Sequence, residues 1–300
     1  MSMRVKEILS IGEKQLKDSG DADAAVDIKW LYCYMMHVDH SKLILEYQKV
    51  LPDRQCDSFF QLLDRRSSGE PLQYIIGSTE FMGLTFRTDP RALIPRQETE
   101  LLAEYALSIL KDNTVNGQEL KIQPKKNPEI LDLCCGTGAI GLSVAKLADS
   151  VKVTCSDLSE DAVALAKENA EALGVNNVTF KCGDLCDPLR GRLHRSKFDM
   201  ILSNPPYIRT GVIPTLQREI NEHEPMMALD GGDDGLAVYR RMIPQLPDFL
   251  KKEGIVMLEI GYDQMQAVKD MFAVNGRFIN IMGLQDLAGR DRIVAATLLK

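Results

Sequence analysis

The chain is short of the features that would tie it to a membrane, a metal or a nucleic acid backbone. No apolar run approaches the roughly 20 residues that a bilayer-crossing helix needs, and no apolar signal core follows the first residues. A cytoplasmic protein is therefore expected. Only four histidines and one tryptophan occur among 300 residues, and aromatics amount to 6%. His37 and His40 stand near a predicted helix end without further ligands, and His223, between Glu222 and Glu224, lacks the second histidine of a zinc-protease helix. The acidic turn that starts at Asp230 does not follow the calcium-loop pattern, because Gly232 holds its third position and Arg241 its twelfth. The seven cysteines show no paired zinc spacing: Cys134 and Cys135 are adjacent, and Cys182 and Cys186 are too loosely placed. Neither a metal site, a disulfide framework nor a Ser/His/Asp or Cys/His nucleophile set is predicted. A net charge of −7 argues against a broad basic face for phosphates, so no direct nucleic acid partner is expected. No internal repeat or exposed apolar repeat occurs, and a monomer is expected.

What is present is the composition of an ordinary globular protein, 45% hydrophobic and 26% charged, long enough for a catalytic domain and a smaller companion. Apolar residues recur at helical spacing in Val5, Ile8 and Leu9, across Val26 to Met36, and again in Phe59, Phe60, Leu62 and Leu63. Residues 1–72 are therefore predicted to form an N-terminal helical domain, closed by the breakers Ser67-Ser68-Gly69-Glu70-Pro71. Residues 73–96, extended from Tyr74 to Thr88 and broken at Gly77 and Gly83, are predicted as a hairpin linker. Residues 97–300 form the predicted catalytic domain, opening with an amphipathic helix from Gln97 to Lys111 and a polar loop from Asp112 to Asn127.

Strands and helices then alternate. Strands are predicted at 129–134, 151–156, 178–182, 198–202, 254–260, 278–282 and 292–298, with helices at 139–147 and after Ser159, which caps a helix that Gly174 stops. Alternation of this kind predicts an α/β fold with a mostly parallel, Rossmann-like sheet whose ligand sits beyond the carboxyl ends of the strands.

Gly136-Thr137-Gly138-Ala139-Ile140-Gly141 follows the first of these strands at the start of a helix. Glycines allow a sharp turn and a close approach to a ligand, and the helix N-terminus offers free N–H donors. The string fits both a nicotinamide dinucleotide and S-adenosylmethionine. Asp157, at the end of the second strand, is placed to accept from ribose hydroxyls, or else to cap the helix that follows. Asp184, in Cys182-Gly183-Asp184-Leu185, either bonds an adenine amino group with Leu185 packed on the ring, or is a solvated turn residue.

The fourth strand ends in Asn204-Pro205-Pro206-Tyr207. The side-chain carbonyl of Asn204 and the main-chain carbonyl of Pro205 are two neutral acceptors in a rigid frame, able to hold both hydrogens of a planar –NH₂ group. Tyr207 is predicted to offer a flat face for stacking, with Pro206 beside it. Such a clamp directs the nitrogen lone pair at an electrophilic methyl group, so catalysis comes from positioning more than from a strong base. It suits S-adenosylmethionine and leaves a hydride-transfer reading without a task for the prolines.

Taken with Pro71-Leu72-Gln73-Tyr74-Ile75, Ile94-Pro95-Arg96-Gln97-Glu98-Thr99-Glu100, Leu229-Asp230-Gly231-Gly232 and the terminal Asp286 to Arg292, these residues resemble the protein-(glutamine-N5) methyltransferases that act on peptide chain release factors, the PrmC/HemK group. The resemblance implies a class I methyltransferase sheet of seven strands, the last antiparallel, and S-adenosylmethionine as cofactor. It implies that Cys134, Cys135, Gly136, Thr137, Gly138, Asp157, Asp184, Leu185 and Asn204 bind that cofactor. Asn204, Pro205, Pro206 and Tyr207 would hold the glutamine of the Gly-Gly-Gln loop of a class 1 release factor, with Asn204, Pro205 and Tyr207 catalytic, and residues 1–72 would dock the release factor. The clamp alone is shared with methyltransferases of adenine and guanine exocyclic amines. A non-catalytic binding module is the remaining alternative.

The chain departs from the family pattern at three places. Gln97 stands where proline is usual and Leu185 where an aromatic is common. Cys134 replaces the first glycine of Asp-x-Gly-x-Gly-x-Gly, which a side chain allows where φ stays negative.

Overall fold

A computed structural model describes residues 2–115, 118–119, 127–191 and 197–299, and the chain forms two compact units. One comprises Met1–Ser78 with Gln217–His223, the other Thr79–Leu216 with Glu224–Lys300.

The first unit is built on helices Val5–Asp18, Ala24–Met36 and Asp53–Ser67, which bury Ile8, Leu16, Ile28, Leu31, Tyr32, Phe59 and Leu63 in one core. Arg66, 4% exposed, is held there by Asp27 at 2.6 Å and Glu219 at 2.5 Å, so a buried cation ties the Gln217–His223 segment to the helices. The extended conformation expected from Tyr74 is not observed up to Ile76. Leu72–Ile76 is a short helix, because Tyr74 and Ile75 donate to the Pro71 carbonyl and bury their side chains. The hairpin follows, pairing Ser78–Phe81 with Leu84–Arg87 across Met82 and Gly83, both at positive φ as a tight hairpin turn requires.

The second unit carries a seven-stranded sheet in the order Phe278–Gln285, Asp291–Leu298, Leu250–Glu259, Phe198–Ser203, Glu129–Leu133, Lys152–Asp157, Val178–Cys182. The last strand in the chain, Asp291–Leu298, runs antiparallel between its two neighbours, while the other strands from Leu250–Glu259 through Val178–Cys182 pair in parallel. The expected Rossmann-like class I methyltransferase sheet is therefore present. Its inner strands bury near-continuous Ile, Leu, Val and Met because both of their faces are covered, with one core cluster on each side, whereas the edge strands Val178–Cys182 and Phe278–Gln285 are largely exposed. The strand expected from Gly254 begins earlier, at Leu250. Within the polar stretch expected as a loop, Thr114–Val115 pairs with Gln118–Glu119; the rest of that expectation between 116 and 126 lies outside the described residues.

Helix Gln97–Asp112 packs through Leu102, Ala103, Ala106 and Ile109. Helix Glu160–Leu173 begins at Ser159, whose hydroxyl accepts from the Ala162 N–H at 3.1 Å, and ends at Gly174 with φ +65°. In the sheet Ser203 lies opposite Leu133, and Leu133 opposite Ser156. Cys134, Asp157 and Asn204 thus leave three adjacent strands at one level, and this register assembles the site.

Candidate active site

The carboxyl ends of the four strands Glu129–Leu133, Lys152–Asp157, Val178–Cys182 and Phe198–Ser203 open on a cavity of about 550 Å³, within the usual range for small-molecule sites. Its wall includes Cys134, Cys135, Gly136, Thr137, Asp157, Asp184, Leu185, Asn204 and Pro206. Gly138 stands just behind the loop at φ +80°, where a side chain would also strike Leu142 at 2.9 Å. Arg91–Arg96, Thr99 and Met226–Ala228 complete the enclosure.

The glycine loop is locked by its own backbone and by Asp157. The Gly136 N–H donates to Asp157 Oδ2 at 2.8 Å and the Ser159 N–H to Oδ1 at 2.9 Å, leaving lone pairs on both oxygens for a further donor. Burial pushes the Asp157 carboxyl up, against these N–H groups. Asp157 is not the helix cap, since Ser159 takes that position. Asp132, fully buried beneath the loop, accepts the Gly141 N–H at 2.8 Å, and burial raises its carboxyl to about 7. Gly141 is required by close approach: a Cβ there would lie 2.7 Å from Cys155 Sγ and 2.9 Å from Asp132 Oδ2.

Cys134 does not keep the negative φ under which a side chain is readily allowed at this position. It adopts φ +61°, and Leu185, across the cavity wall, adopts φ +45°. Two non-glycine residues in the left-handed region, each costing roughly 1–2 kcal/mol, therefore line the same site. The Cys134 thiol packs against the core below the loop, and burial raises its pKa far above the usual value, so it is a filling group and not a nucleophile.

Asp184 is not a free turn residue: it forms an ion pair with Arg241, which also faces the cavity. Both are exposed, and a pair of this kind orients side chains more than it stabilises the fold.

At the end of the fourth strand, Asn204 Nδ2 donates to Thr99 Oγ1 at 3.1 Å, which leaves Oδ1 to accept from the cavity side. Pro206 lines the cavity, whereas Pro205 is buried behind it. The Tyr207 ring is not brought to the wall as the stacking expectation required. Its hydroxyl donates to Glu259 Oε1 at 3.2 Å, and its ring packs on the core. Glu259 is 1% exposed; burial lifts its carboxyl to about 7, against the Thr99 and Tyr207 hydroxyls and the Arg292 charge.

The backbone leaving Tyr207 is braced by residues without an obvious role in the sequence. Gln264 Nε2 donates to the Tyr207 carbonyl at 2.9 Å and to that of Gly235 at 3.2 Å, and Gln264 Oε1 accepts from the Gly261 N–H. A Cβ on Gly235 would sit 2.4 Å from the Tyr207 carbonyl oxygen, so only glycine permits this approach. The Asp230 turn therefore braces the backbone that leaves Tyr207, and Asp230 itself accepts from Thr210 and from the Gly232 N–H. Glu224, buried, accepts from the Ile94 N–H at 3.1 Å and from Arg96, holding the 94–96 wall segment. Thr99, Glu224, Glu259 and Gln264 are the site residues that pattern reading missed. Thr99 alone carried a signal, through its place in the Ile94 to Glu100 motif. Among the described residues no group of three His, Cys, Asp or Glu is placed to hold a metal, and no helix is long and apolar enough to cross a membrane.

Two families match the chain: the PrmC N-terminal domain over residues 7–77 and the methyltransferase small domain over residues 118–232. The release factor glutamine methyltransferase of Moorella thermoacetica is 36% identical over 295 residues, covering 98% of each chain. That of Clostridium acetobutylicum is 35% identical, again over 98% of both. A solved protein-(glutamine-N5) methyltransferase (release factor-specific) from Alicyclobacillus acidocaldarius aligns with 72% of this chain and 100% of its own, at 29% identity and a TM-score of 0.41. Near-complete coverage at this identity leaves one assignment: the chain is a methyltransferase and belongs to the release factor glutamine methyltransferase family.

Proposed function

We propose that the protein transfers a methyl group from S-adenosylmethionine to the side-chain amide nitrogen of the glutamine in the Gly-Gly-Gln loop of class 1 peptide chain release factors. The observation that carries this reading is the Asn204 side chain, half-buried on the wall of the glycine-loop cavity with its amide nitrogen committed to Thr99. Its Oδ1 and the Pro205 carbonyl are the two acceptors that hold the hydrogens of the target amide.

The cavity fits the cofactor in size and in donor set. Gly136 and Cys135 offer backbone to a ligand, with Gly138 setting the turn; Asp157 keeps lone pairs for ribose hydroxyls; and Asp184 with Leu185 forms the edge for an adenine. When bound, S-adenosylmethionine supplies an electrophilic methyl group on a good leaving group. Asn204 then orients the amide so that its nitrogen lone pair, normally delocalised, faces that methyl. The nitrogen loses its proton late, so no strong base is required. Tyr207 serves through its hydroxyl bond to Glu259 as a buttress of the clamp. The N-terminal helical unit is the docking module for the release factor in this reading.

Incubation of the protein with methyl-labelled S-adenosylmethionine and a release factor tests the proposal. Label should enter the release factor and not a variant whose Gly-Gly-Gln glutamine is alanine. Label in that variant, or only in a nucleic acid control, would replace this reading with another acceptor. Asn204→Ala should abolish transfer while the thermal transition persists.

A further inference from the structure

An asparagine amide is nearly symmetric in shape, and which end faces a ligand depends on the groups that hold the other end. The clamp works only if Asn204 presents its oxygen. Thr99 does not enforce this alone, because a hydroxyl both donates and accepts. If Thr99 gave its proton to Asn204, the amide would turn over and aim its NH₂ at the target amide, where two donors would face each other. Something must therefore occupy the Thr99 proton.

The group positioned to do so is Glu259. Its carboxylate is 1% exposed, sits beside the Thr99 hydroxyl closely enough for that hydroxyl to favour its charged form, and has Oε1 taken by Tyr207 at 3.2 Å. No hydrogen bond reaches Oε2, a costly omission for a buried carboxylate oxygen, and the pairing of Ser203 with Leu258 sets Glu259 beside Asn204, the residue that bonds Thr99. A carboxylate is acceptor-only. A chain of bonds that starts on it has one polarity.

Resting on the proposed clamp, we infer that Glu259 is a positioning residue: it accepts a hydrogen bond from the Thr99 hydroxyl, leaves Thr99 Oγ1 to accept from Asn204 Nδ2, and thereby fixes Asn204 Oδ1 toward the acceptor amide. Glu259 does not line the cavity, so it acts through Thr99 and Asn204 and not on substrate. Glu259 and Thr99 are on this account more than polar residues of the core. The positioning role also explains a deeply buried acid at the end of the Leu250–Glu259 strand, next to the clamp strand.

The groups facing Glu259 are the Tyr207 hydroxyl, the Arg292 guanidinium (itself paired with Asp286), Glu98 at the start of the Gln97–Asp112 helix, and Tyr239, whose hydroxyl bonds the Glu259 carbonyl at 2.6 Å. Burial outweighs Arg292 and the hydroxyls, which places the carboxyl near 7. Once protonated, it can donate to Thr99 and the polarity is released.

The test uses the full-length protein, S-adenosylmethionine and a release factor, with Glu259→Gln, Thr99→Val and Thr99→Ser. Glutamine keeps the shape of Glu259 but offers an NH₂ to Thr99. Glu259→Gln and Thr99→Val should each lower kcat about 100-fold, the scale of losing one preorganised polar contact at a reacting group, with KM and cofactor Kd within about threefold of the parent. Thr99→Ser should stay within about threefold of the parent. The double variant should be no worse than either single one. In the parent, kcat should fall as pH drops through about 7, and this limb should vanish in Thr99→Val. Side-chain amide NMR of the ligand-free protein gives an answer independent of turnover: the Asn204 NH₂ should be protected in the parent and in Thr99→Ser and lose protection in Glu259→Gln. Near-parent kcat in both Glu259→Gln and Thr99→Val, or an unchanged Asn204 NH₂ signal, would overturn the inference. Should Glu259→Gln fail to fold, the Thr99 pair and the pH dependence of the parent's Asn204 signal decide it. A parent enzyme that transfers no methyl group would instead count against the proposed function, while the NMR result would still judge the positioning role.

Discussion

Asn169, fully buried on the Glu160–Leu173 helix, donates from Nδ2 to the Thr137 carbonyl at 3.0 Å and accepts the Arg87 N–H on Oδ1 at 2.7 Å. One side chain thus joins the glycine loop to the hairpin strand beside it. Asn169→Ala should leave the Thr137 carbonyl unsatisfied in a dry environment and cost about 2 kcal/mol, read as a lower urea midpoint. It should also weaken S-adenosylmethionine binding by calorimetry, because the loop loses its outer support. Parent-like affinity in the destabilised variant would show that the loop holds its form without Asn169.

Gly141 is expected to tolerate no side chain. Alanine there would gain helix propensity of about 1 kcal/mol but would press on Cys155 Sγ and Asp132, and overpacking costs about 1–3 kcal/mol. Gly141→Ala should therefore lower Tm, with the larger effect on cofactor affinity, since the displaced Asp132 supports the loop.

The left-handed backbone at Cys134 makes a second contrast. Cys134→Gly should change stability by less than about 1 kcal/mol, because relief of strain is offset by the greater freedom of glycine when unfolded. Cys134→Val should cost about 2 kcal/mol or more, since a β-branched side chain is poorly accommodated at positive φ. Equal melting temperatures for the two variants would refute the strain argument.

Stability should fall as pH rises from about 5 to 8. Asp132 and Glu259 are each raised to about 7 when folded, against ordinary values near 4 when unfolded. Between these limits the unfolded chain is ionised while the folded chain keeps its protons. Their contribution is complete below about 4 and is lost as pH climbs through 7. Urea unfolding at pH 5.5 and 8 measures the slope. Asp132→Asn should flatten it, and a slope unchanged in that variant would refute the assignment to Asp132.

Much of this protein was readable locally. Strands announced themselves through apolar runs such as Glu129–Leu133, which are buried on both faces, and the Ser159 cap and Gly174 stop depend only on residues within one turn. The placement of the glycine loop and of Asn204 on the cavity wall is legible for the same reason: each sits in a handful of consecutive residues at a strand end. Residues 74–76 are helical against the extended expectation because the Ile75-Ile76 pair favours strand only locally, while the burial of Leu72 and Ile75 in the helical unit favours a turn of helix.

The remainder was decided by folding. Thr99 and Asn204 are 105 positions apart, and Ile94 and Glu224 are 130 apart, so no spacing rule could pair them. The turn of Tyr207 away from the cavity depends on a carboxylate that the Leu250–Glu259 strand delivers 52 positions later. The positive φ of Cys134 arises where the loop must cross from its strand to the helix above Asp132 while meeting Ser156 and Asp157 on the neighbouring strand. Residue types and local spacing specify which groups are available for chemistry. Only the strand register, by setting Leu133 beside Ser203 and Ser156, determines which of those groups meet and which way their donors and acceptors point.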